Sequence, residues 1–243
     1  MKKPQLFLLH FAGGNCYSFQ FLLSRLGDFE VISPELPGRG RRIAEPLVKD
    51  FDTAARDMYE QIRRQLTGCP FLLYGHSMGA YLALRVANLL EKDGTPPAYL
   101  VVSGNAGPGI KKERQVHLLE RPSFIAELEK LGGVPKEVIA DEELFGFFEP
   151  ILRADFEVAE NHGLAEEPAV NAPLFAMMGS REEKADQIAN WGRLTNSDFA
   201  YEILEGDHFF IYKHAGRIAA ILDACYGKTR PFLANRRKEE VHY

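Results

Sequence analysis

The sequence has little of several features that define whole classes of protein. Its 243 residues include only 3 cysteines, Cys16, Cys69 and Cys225, and their odd number and wide spacing argue against a disulfide framework or a Cys-x-x-Cys site. No run approaches the ~18 apolar residues of a membrane span. The first apolar run, residues 5–10, is too short for a secretory signal and lacks a cleavage site. We therefore expect buried thiols and a cytoplasmic protein that does not enter membranes.

An excess of basic residues is also missing. The 29 Lys and Arg residues are outnumbered by 34 Asp and Glu residues, which gives a formal net charge of −5. The basic cluster Arg39, Arg41 and Arg42 lies in a turn-rich segment. A solvated loop is the favoured interpretation of this cluster, and contact with an anionic group is the alternative. A nucleic acid partner held by charge is therefore not expected.

The order of apolar segments indicates the fold class. Strand-like and helix-like segments alternate, which is typical of an α/β protein with a mostly parallel sheet covered by helices on both faces. The length fits a single domain over residues 1–243, with a charged, frayed tail from about 227 to 243. The predicted strands cover residues 5–10, 29–33, 71–74, 98–103, 172–178 and 199–204, and the predicted helices include 17–26, 51–66, 186–194 and 214–225.

The alternation stops between about residues 111 and 168. Helical pieces punctuated by prolines and by Gly132-Gly133 replace it, and bulky apolar residues are concentrated late in the segment. We expect a helical lid, inserted in the domain, that turns an apolar face to a cleft. The alternative is an ordinary helical insertion. Asp155 and His162 lie here, and a helix explains them without chemistry.

The strongest chemical signal is the motif Gly75-x-Ser77-x-Gly79. It follows a short apolar run of strand length and continues into a helix rich in alanine. A serine on so tight a turn leaves no room for Cβ atoms two positions before and after it, which accounts for both glycines. We interpret Ser77 as an exposed nucleophile and the N–H of Met78 as an oxyanion donor. A purely structural strand-to-helix turn is the alternative.

A second glycine-rich loop, residues 11–14, follows the first predicted strand. In hydrolases with this arrangement, the loop after an early strand supplies the second oxyanion N–H. Ala12 is the candidate donor here. A tight turn at Gly13-Gly14 without a catalytic role is the alternative.

The general base is predicted from topology. Among the 7 histidines, His208 alone occupies the loop after the last predicted strand, where such a fold carries its catalytic histidine. His208 would take the proton from the Ser77 hydroxyl and later activate water. An exposed loop histidine is the alternative.

The acid that orients His208 is predicted less sharply. Glu182, Glu183 and Asp186 all lie just past the strand that ends near residue 178. Glu182 is favoured, and the other two remain open. Asp207 ranks low because neighbouring side chains in a chain usually point apart.

Further blocks extend these motifs over the chain from about residue 6 to residue 225. They are His10-Phe-Ala-Gly-Gly14, Pro37-Gly-Arg-Gly40, Gly75-His-Ser-Met-Gly79, Leu131-Gly-Gly-Val-Pro135, Leu152-Arg-Ala-Asp155 and Gly206-Asp-His-Phe-Phe210. Together they resemble the type II thioesterases that accompany nonribosomal peptide and polyketide synthases. Several blocks lie outside the general hydrolase motif, which makes the resemblance specific.

The resemblance implies an α/β-hydrolase with a mobile helical lid that hydrolyses acyl or aminoacyl thioesters from the phosphopantetheine arms of carrier domains. It implies the same roles for Ser77, His208, Met78 and Ala12. The family usually has aspartate where this sequence has Glu182, so the identity of the acid stays open. We expect a monomer that needs no metal or redox cofactor. The alternatives are a carboxylesterase or acyltransferase on the same scaffold and a carrier-binding protein that has lost catalysis.

Overall fold

A computed structural model describes residues 2–110 and 115–239, with side chains described as far as residue 228. Within these residues the strands are β1 (Gln5–Leu9), β2 (Glu30–Ile32), β3 (Phe71–His76), β4 (Tyr99–Ser103), β5 (Leu174–Gly179) and β6 (Phe199–Leu204). The α-helices are α1 (Gln20–Leu23), α2 (Phe51–Gln65), α3 (Met78–Lys92), α4 (Arg121–Leu131), α5 (Lys136–Ala140), α6 (Glu142–Glu160) and α7 (Ala215–Glu239). The strands form one sheet in the order β2-β1-β3-β4-β5-β6, and all neighbouring pairs are parallel. The predicted fold class is confirmed.

The sheet separates two hydrophobic clusters, because successive side chains of a strand point to opposite faces. In β1, Phe7 and Leu9 pack with the apolar faces of α2 and α3. Leu6 and Leu8 pack on the other face with residues of α1 and α7. Every residue of β1 is therefore buried, which explains why the strand is a continuous apolar run.

The helix that follows Ser77 is shaped by small residues. Ala80, Ala83 and Ala87 are fully buried in α3, so the helix lies close against the sheet. The neighbouring helix α2 begins where the Asp50 side chain accepts a hydrogen bond from the Thr53 N–H over 2.7 Å. Together these two helices cover the face of the sheet below the serine turn.

Three predicted helices differ from the structure. The segment 17–26 forms an α-helix only over Gln20–Leu23, because its flanking turns use tight bonds such as Gln20 N–H to Tyr17 O. The segment predicted as 186–194 is a 3₁₀-helix over Ala185–Leu194. The closing helix runs from Ala215 to Glu239, past the end predicted near residue 225, and residues 240–243 of the predicted charged tail lie outside the described residues. Gly227 costs a helix only about 1 kcal/mol and does not end it.

The predicted interruption between β4 and β5 contains α4, α5 and α6, flanked by 3₁₀-helices at Val116–Leu118 and Leu164–Glu166. We call residues 116–166 the insertion. It has its own hydrophobic cluster, which includes Phe124, Leu128, Phe145 and Leu152. Its long helix α6 also packs on α2 and α3, so the insertion is fixed to the sheet layer along one helix. A lid function for it remains a prediction.

The structure also bears on the expectations about membrane spans and cysteines. None of the helices in residues 2–110 and 115–239 has both the length and the apolar character needed to cross a membrane. All three cysteines carry free thiols, with Cys225 buried and Cys16 and Cys69 partly exposed. The expectation of buried thiols therefore holds fully only for Cys225.

Candidate active site

Ser77 occupies a strained turn at the carboxyl end of β3. Its backbone has φ 56° and ψ −116°, an unusual conformation for a residue with a side chain. A Cβ atom on Gly75 would lie 2.0 Å from the carbonyl oxygen of Gly79, and one on Gly79 would lie 2.2 Å from that of Leu9. Both glycines of the motif are therefore required by the close approach of β3, α3 and β1.

His208 lies in the loop after β6, next to Ser77. Its Nε2 is 2.9 Å from the Ser77 Oγ, although 131 positions separate the two residues in the chain. This loop reaches the serine because β6 is parallel to β3, so both strands end at the same edge of the sheet. The predicted pairing of nucleophile and base is present in the structure.

Glu182 is the carboxylate that contacts His208. Its Oε2 lies 2.7 Å from His208 Nδ1, and its Oε1 accepts the Gly179 N–H over 2.7 Å. Glu183 and Asp186 are exposed, which leaves Glu182 as the partner among the three candidates. Because a carboxylate only accepts, the proton of the neutral imidazole is assigned to Nδ1, and Nε2 is free to accept from the Ser77 hydroxyl.

The two candidate oxyanion donors flank the serine. Met78 is the first residue of α3, where backbone N–H groups have no partner within the helix. Ala12 lies in the loop after β1 and lines the same cavity as Ser77 and His208. Within the described residues, neither the Ala12 nor the Met78 N–H donates a hydrogen bond to another protein group. Both are available to a bound oxyanion.

The serine opens into a cavity of about 680 Å³ between the sheet edge and the insertion. Its walls are mainly apolar, as expected for a pocket that receives a hydrocarbon group. The side chains that form these walls include Val116, Leu128, Leu131, Val134, Val138, Phe148, Leu152, Phe156 and Met178. The charged residues at the cavity are Glu127, Lys130, Glu160, Arg181, Glu182, Glu183, Lys184 and Asp207.

A buried ion pair beside the Ala12 loop was not predicted. Arg39 is 3% exposed and Asp155, on α6, is fully buried. Two guanidinium nitrogens of Arg39 donate to the two carboxylate oxygens of Asp155, one of them over 2.8 Å. The prediction of a solvated loop is therefore wrong for Arg39, although Arg41 is exposed and Arg42 forms ion pairs near the surface. The alternative, contact of an arginine with an anionic group, holds for Arg39, whose anionic partner is the Asp155 carboxylate.

Two further histidines near the site are held in the neutral form. Burial, reinforced by the charge of Arg39, lowers the pKa of His10 to about 4. Burial also lowers the pKa of His76 well below its ordinary value, with a smaller contribution from His208. The His76 ring lies 5.1 Å from the His208 ring, and its Nδ1 is 2.8 Å from the Ser103 hydroxyl. Neither ring adds a positive charge near Ser77 at neutral pH.

Sequence reasoning missed His10, Arg39 and Asp155. Each belongs to a block that resembles the thioesterases, but the residue types gave no sign that the three blocks meet in space. A group of three or more His, Cys, Asp or Glu side chains suited to a metal ion does not occur within the described residues. The hydrogen bonds that join Glu182, His208 and Ser77 support the chemistry of a serine, a histidine and a carboxylate.

The parallel sheet, the serine on a strand-to-helix turn and the histidine after the last strand define an α/β-hydrolase. Within that class the chain belongs to the thioesterase family, because the model of the Thioesterase domain matches residues 4–226. The predicted family is confirmed.

Individual relatives agree with this assignment. Thioesterase PikA5 of Streptomyces venezuelae is 31% identical over 207 residues, which are 84% of this chain and 74% of PikA5. The gramicidin S biosynthesis protein GrsT of Aneurinibacillus migulanus is 32% identical over 218 residues, or 87% of this chain and 84% of GrsT. The solved structure of YbtT, a type II thioesterase from the yersiniabactin NRPS/PKS biosynthetic pathway, has a TM-score of 0.85 at 28% identity and covers 94% of each chain.

Proposed function

We propose that this protein is a type II serine thioesterase that hydrolyses acyl or aminoacyl thioesters from the phosphopantetheine arms of carrier proteins. The observation that carries the proposal is the continuous hydrogen-bonded chain from Glu182 through His208 to Ser77, at the mouth of an apolar cavity. Membership of the thioesterase family and similarity to YbtT support the substrate class.

In the first step Ser77 is the nucleophile. His208 Nε2 accepts the hydroxyl proton while Ser77 Oγ attacks the thioester carbonyl carbon, and Glu182 stabilises the imidazolium that forms. The N–H groups of Met78 and Ala12 donate to the oxyanion. When the tetrahedral intermediate collapses, the C–S bond breaks. The departing pantetheine sulfur takes the proton from the His208 imidazolium and leaves as a thiol. The products of this step are an acyl-Ser77 ester and a free carrier thiol.

In the second step water takes the place of the thiol. His208 accepts one proton from water while the water oxygen attacks the acyl-serine carbonyl carbon. The N–H groups of Met78 and Ala12 again donate to the oxyanion. Collapse returns the proton to Ser77 Oγ and releases the carboxylic acid. Each oxyanion donor is worth about 3 kcal/mol in such reactions. The proposed cycle uses no metal or redox cofactor.

The cavity supports an acyl substrate rather than a strongly charged one. Most of its wall is formed by aliphatic and aromatic side chains, and Leu152 and Phe156 come from one face of α6. A carrier partner is proposed because the phosphopantetheine arm delivers a thioester into a narrow site while the carrier domain stays outside. This role would be the removal of stalled or incorrect acyl groups from a synthase.

The test is hydrolysis of a panel of carrier proteins loaded with acyl and aminoacyl groups, followed by intact-protein mass spectrometry. The proposal predicts loss of the acyl mass from the carriers and much slower hydrolysis of matched oxygen esters. Ser77→Ala should reduce the rate at least about 10³-fold. Ser123→Ala, an exposed serine on α4, is the matched control and should retain the full rate.

Two outcomes would replace the proposal. Faster hydrolysis of small oxygen esters than of loaded carriers would indicate a carboxylesterase on the same scaffold. Carrier binding without any hydrolysis, unchanged by Ser77→Ala, would indicate a carrier-binding protein without catalysis.

A further inference from the structure

The peptide group between Phe11 and Ala12 is held from one side by His10. The Phe11 carbonyl accepts the Gly14 N–H over 2.9 Å and lies 2.9 Å from His10 Nδ1. His10 Nε2 accepts the Leu36 N–H over 3.4 Å, so the neutral ring carries its proton on Nδ1 and donates to Phe11. In a planar trans peptide the C=O and the next N–H point in opposite directions. Fixing the Phe11 carbonyl therefore fixes the direction of the Ala12 N–H.

The next peptide group is held from the other side by Asp155. Asp155 Oδ2 accepts the Gly13 N–H over 2.8 Å, although 142 positions separate the residues. Both carboxylate oxygens also accept from Arg39, which fixes the orientation of the carboxylate. Arg39 in addition donates to the Gly14 carbonyl over 3.4 Å. The loop is thus bound at residues 11, 13 and 14, and the Ala12 N–H remains unused between them.

A buried ion pair of this kind calls for an explanation other than stability. Removing two charges from water costs several kcal/mol per ion, and apolar residues of the same volume often stabilise a protein equally well. The third contact of Asp155, to a backbone N–H in a catalytic loop, is one that an apolar pair would lack.

We propose that Asp155, oriented by Arg39, is a positioning residue that holds the 11–14 loop so that the Ala12 N–H faces the oxyanion at the Ser77 acyl centre. The inference rests on the proposed function. It also connects the insertion with catalysis, because Asp155 and the cavity residue Leu152 lie on the same helix, α6. Gly13 lies so close to that helix that a Cβ atom on it would be 2.5 Å from Leu152 Cδ2.

The test compares two double variants that leave no buried charge unpaired. Arg39→Met with Asp155→Asn keeps an oxygen at residue 155 that can accept the Gly13 N–H. Arg39→Met with Asp155→Leu has the same number of side-chain heavy atoms at residue 155, branched at the same carbon, but offers no acceptor. The probe is a hexanoyl thioester of N-acetylcysteamine, and kcat is expressed per titratable Ser77, so that unfolded protein does not count.

The proposal predicts that kcat of the Leu double variant falls about 10²-fold, the size of a lost oxyanion donor. The fall in kcat of the Asn double variant should be smaller, about tenfold. KM should stay within about twofold in both, because the substrate carbonyl gains this interaction only in the transition state. The Kd of an alkylboronic acid, which forms a tetrahedral adduct with serine, should rise in parallel with the loss of kcat. A purely structural role would lower the melting temperature and leave kcat per site and the boronate Kd unchanged.

Equal kcat values for the two folded double variants would overturn the proposal. If the Leu double variant does not fold, the Asn double variant decides, because its retained oxygen predicts kcat within about tenfold of the native value. A larger loss in that folded variant would overturn the proposal. Failure of the proposed function is separate: it would appear as native hydrolysis by Ser77→Ala, whatever the variants at residue 155 do.

Discussion

Glu182 Oε2 lies 2.7 Å from His208 Nδ1, although the resemblance to type II thioesterases implies the shorter aspartate at this position. The extra methylene is accommodated because the carboxylate folds back toward the end of β5. Its second oxygen accepts the Gly179 N–H over 2.7 Å, and the side chain is only 6% exposed. The departure in sequence therefore preserves the contact that orients the histidine.

Replacing this carboxylate tests the assignment. Glu182→Gln removes the charge that stabilises the imidazolium and presents an amide that favours the wrong tautomer of His208. We expect kcat for an acyl-carrier substrate to fall about 10³- to 10⁴-fold with little change in carrier binding. Asp186→Asn is the matched control because Asp186 is exposed, and its kcat should stay within about twofold. A nearly active Glu182→Gln together with an impaired Asp186→Asn would move the acid to Asp186.

The insertion offers a matched pair for testing the acyl pocket. Phe148 lines the cavity, whereas its neighbour Phe147 is 55% exposed. Phe148→Ala enlarges the pocket, so kcat/KM for a dodecanoyl substrate relative to a butyryl substrate should rise about tenfold. Phe147→Ala should leave that ratio unchanged. The same shift in both variants would mean that the cavity wall does not select the acyl chain.

The space around Gly79 in the serine turn and Gly146 in α6 predicts opposite effects on stability when each is replaced by alanine. A Cβ atom on Gly79 would lie 2.2 Å from the backbone oxygen of Leu9, so Gly79→Ala should destabilise the fold by more than about 3 kcal/mol or prevent folding. Gly146 in α6 has no atom within 4 Å of the same position, so Gly146→Ala should stabilise by about 0.5–1 kcal/mol. Urea unfolding measures both. A well-folded Gly79→Ala protein would contradict the packing described for the turn.

Burial of His10 predicts a dependence of stability on pH. The folded protein lowers the pKa of His10 from 6.5 to about 4, so below pH 6.5 the unfolded chain binds a proton that the folded chain does not. The free energy of unfolding should therefore lose up to about 3 kcal/mol through His10 as the pH falls from 6.5 to 4. His10→Asn, which keeps a donor for the Phe11 carbonyl, should lack this loss. Parallel curves of unfolding free energy against pH for the two proteins would contradict the account.

Much of the fold follows from local patterns. The apolar run of β1 reflects burial of both faces of the strand, and the helical spacing in α2 reflects burial of one face of the helix. Both patterns can be recognised within a short stretch of sequence. The proximity of Ser77 and His208 could be predicted because the topology of the fold assigns each a fixed place. The length of α1 and the end of α7 were missed because tight turns and helix continuation depend on small local energies.

The contacts of Arg39 and Asp155 with the 11–14 loop could not be predicted from the residues alone. Arg39 and Asp155 are separated by 116 positions, and a charged residue in a sequence is most simply interpreted as solvated. Only the packing of α6 over the 11–14 loop brings the pair together and excludes water from it. Likewise, the sequence favours Glu182 but leaves Glu183 and Asp186 open, and the direction of the chain after β5 brings Glu182 to His208.

The central claim is that Ser77 takes the acyl group from the carrier thioester. The most direct measurement is an acid quench within milliseconds of mixing the protein with an acyl-loaded carrier, followed by proteolysis and tandem mass spectrometry. The account predicts an acyl group on Ser77, within the peptide that spans Gly75 and Gly79. An acyl group mapped to any other side chain would contradict it.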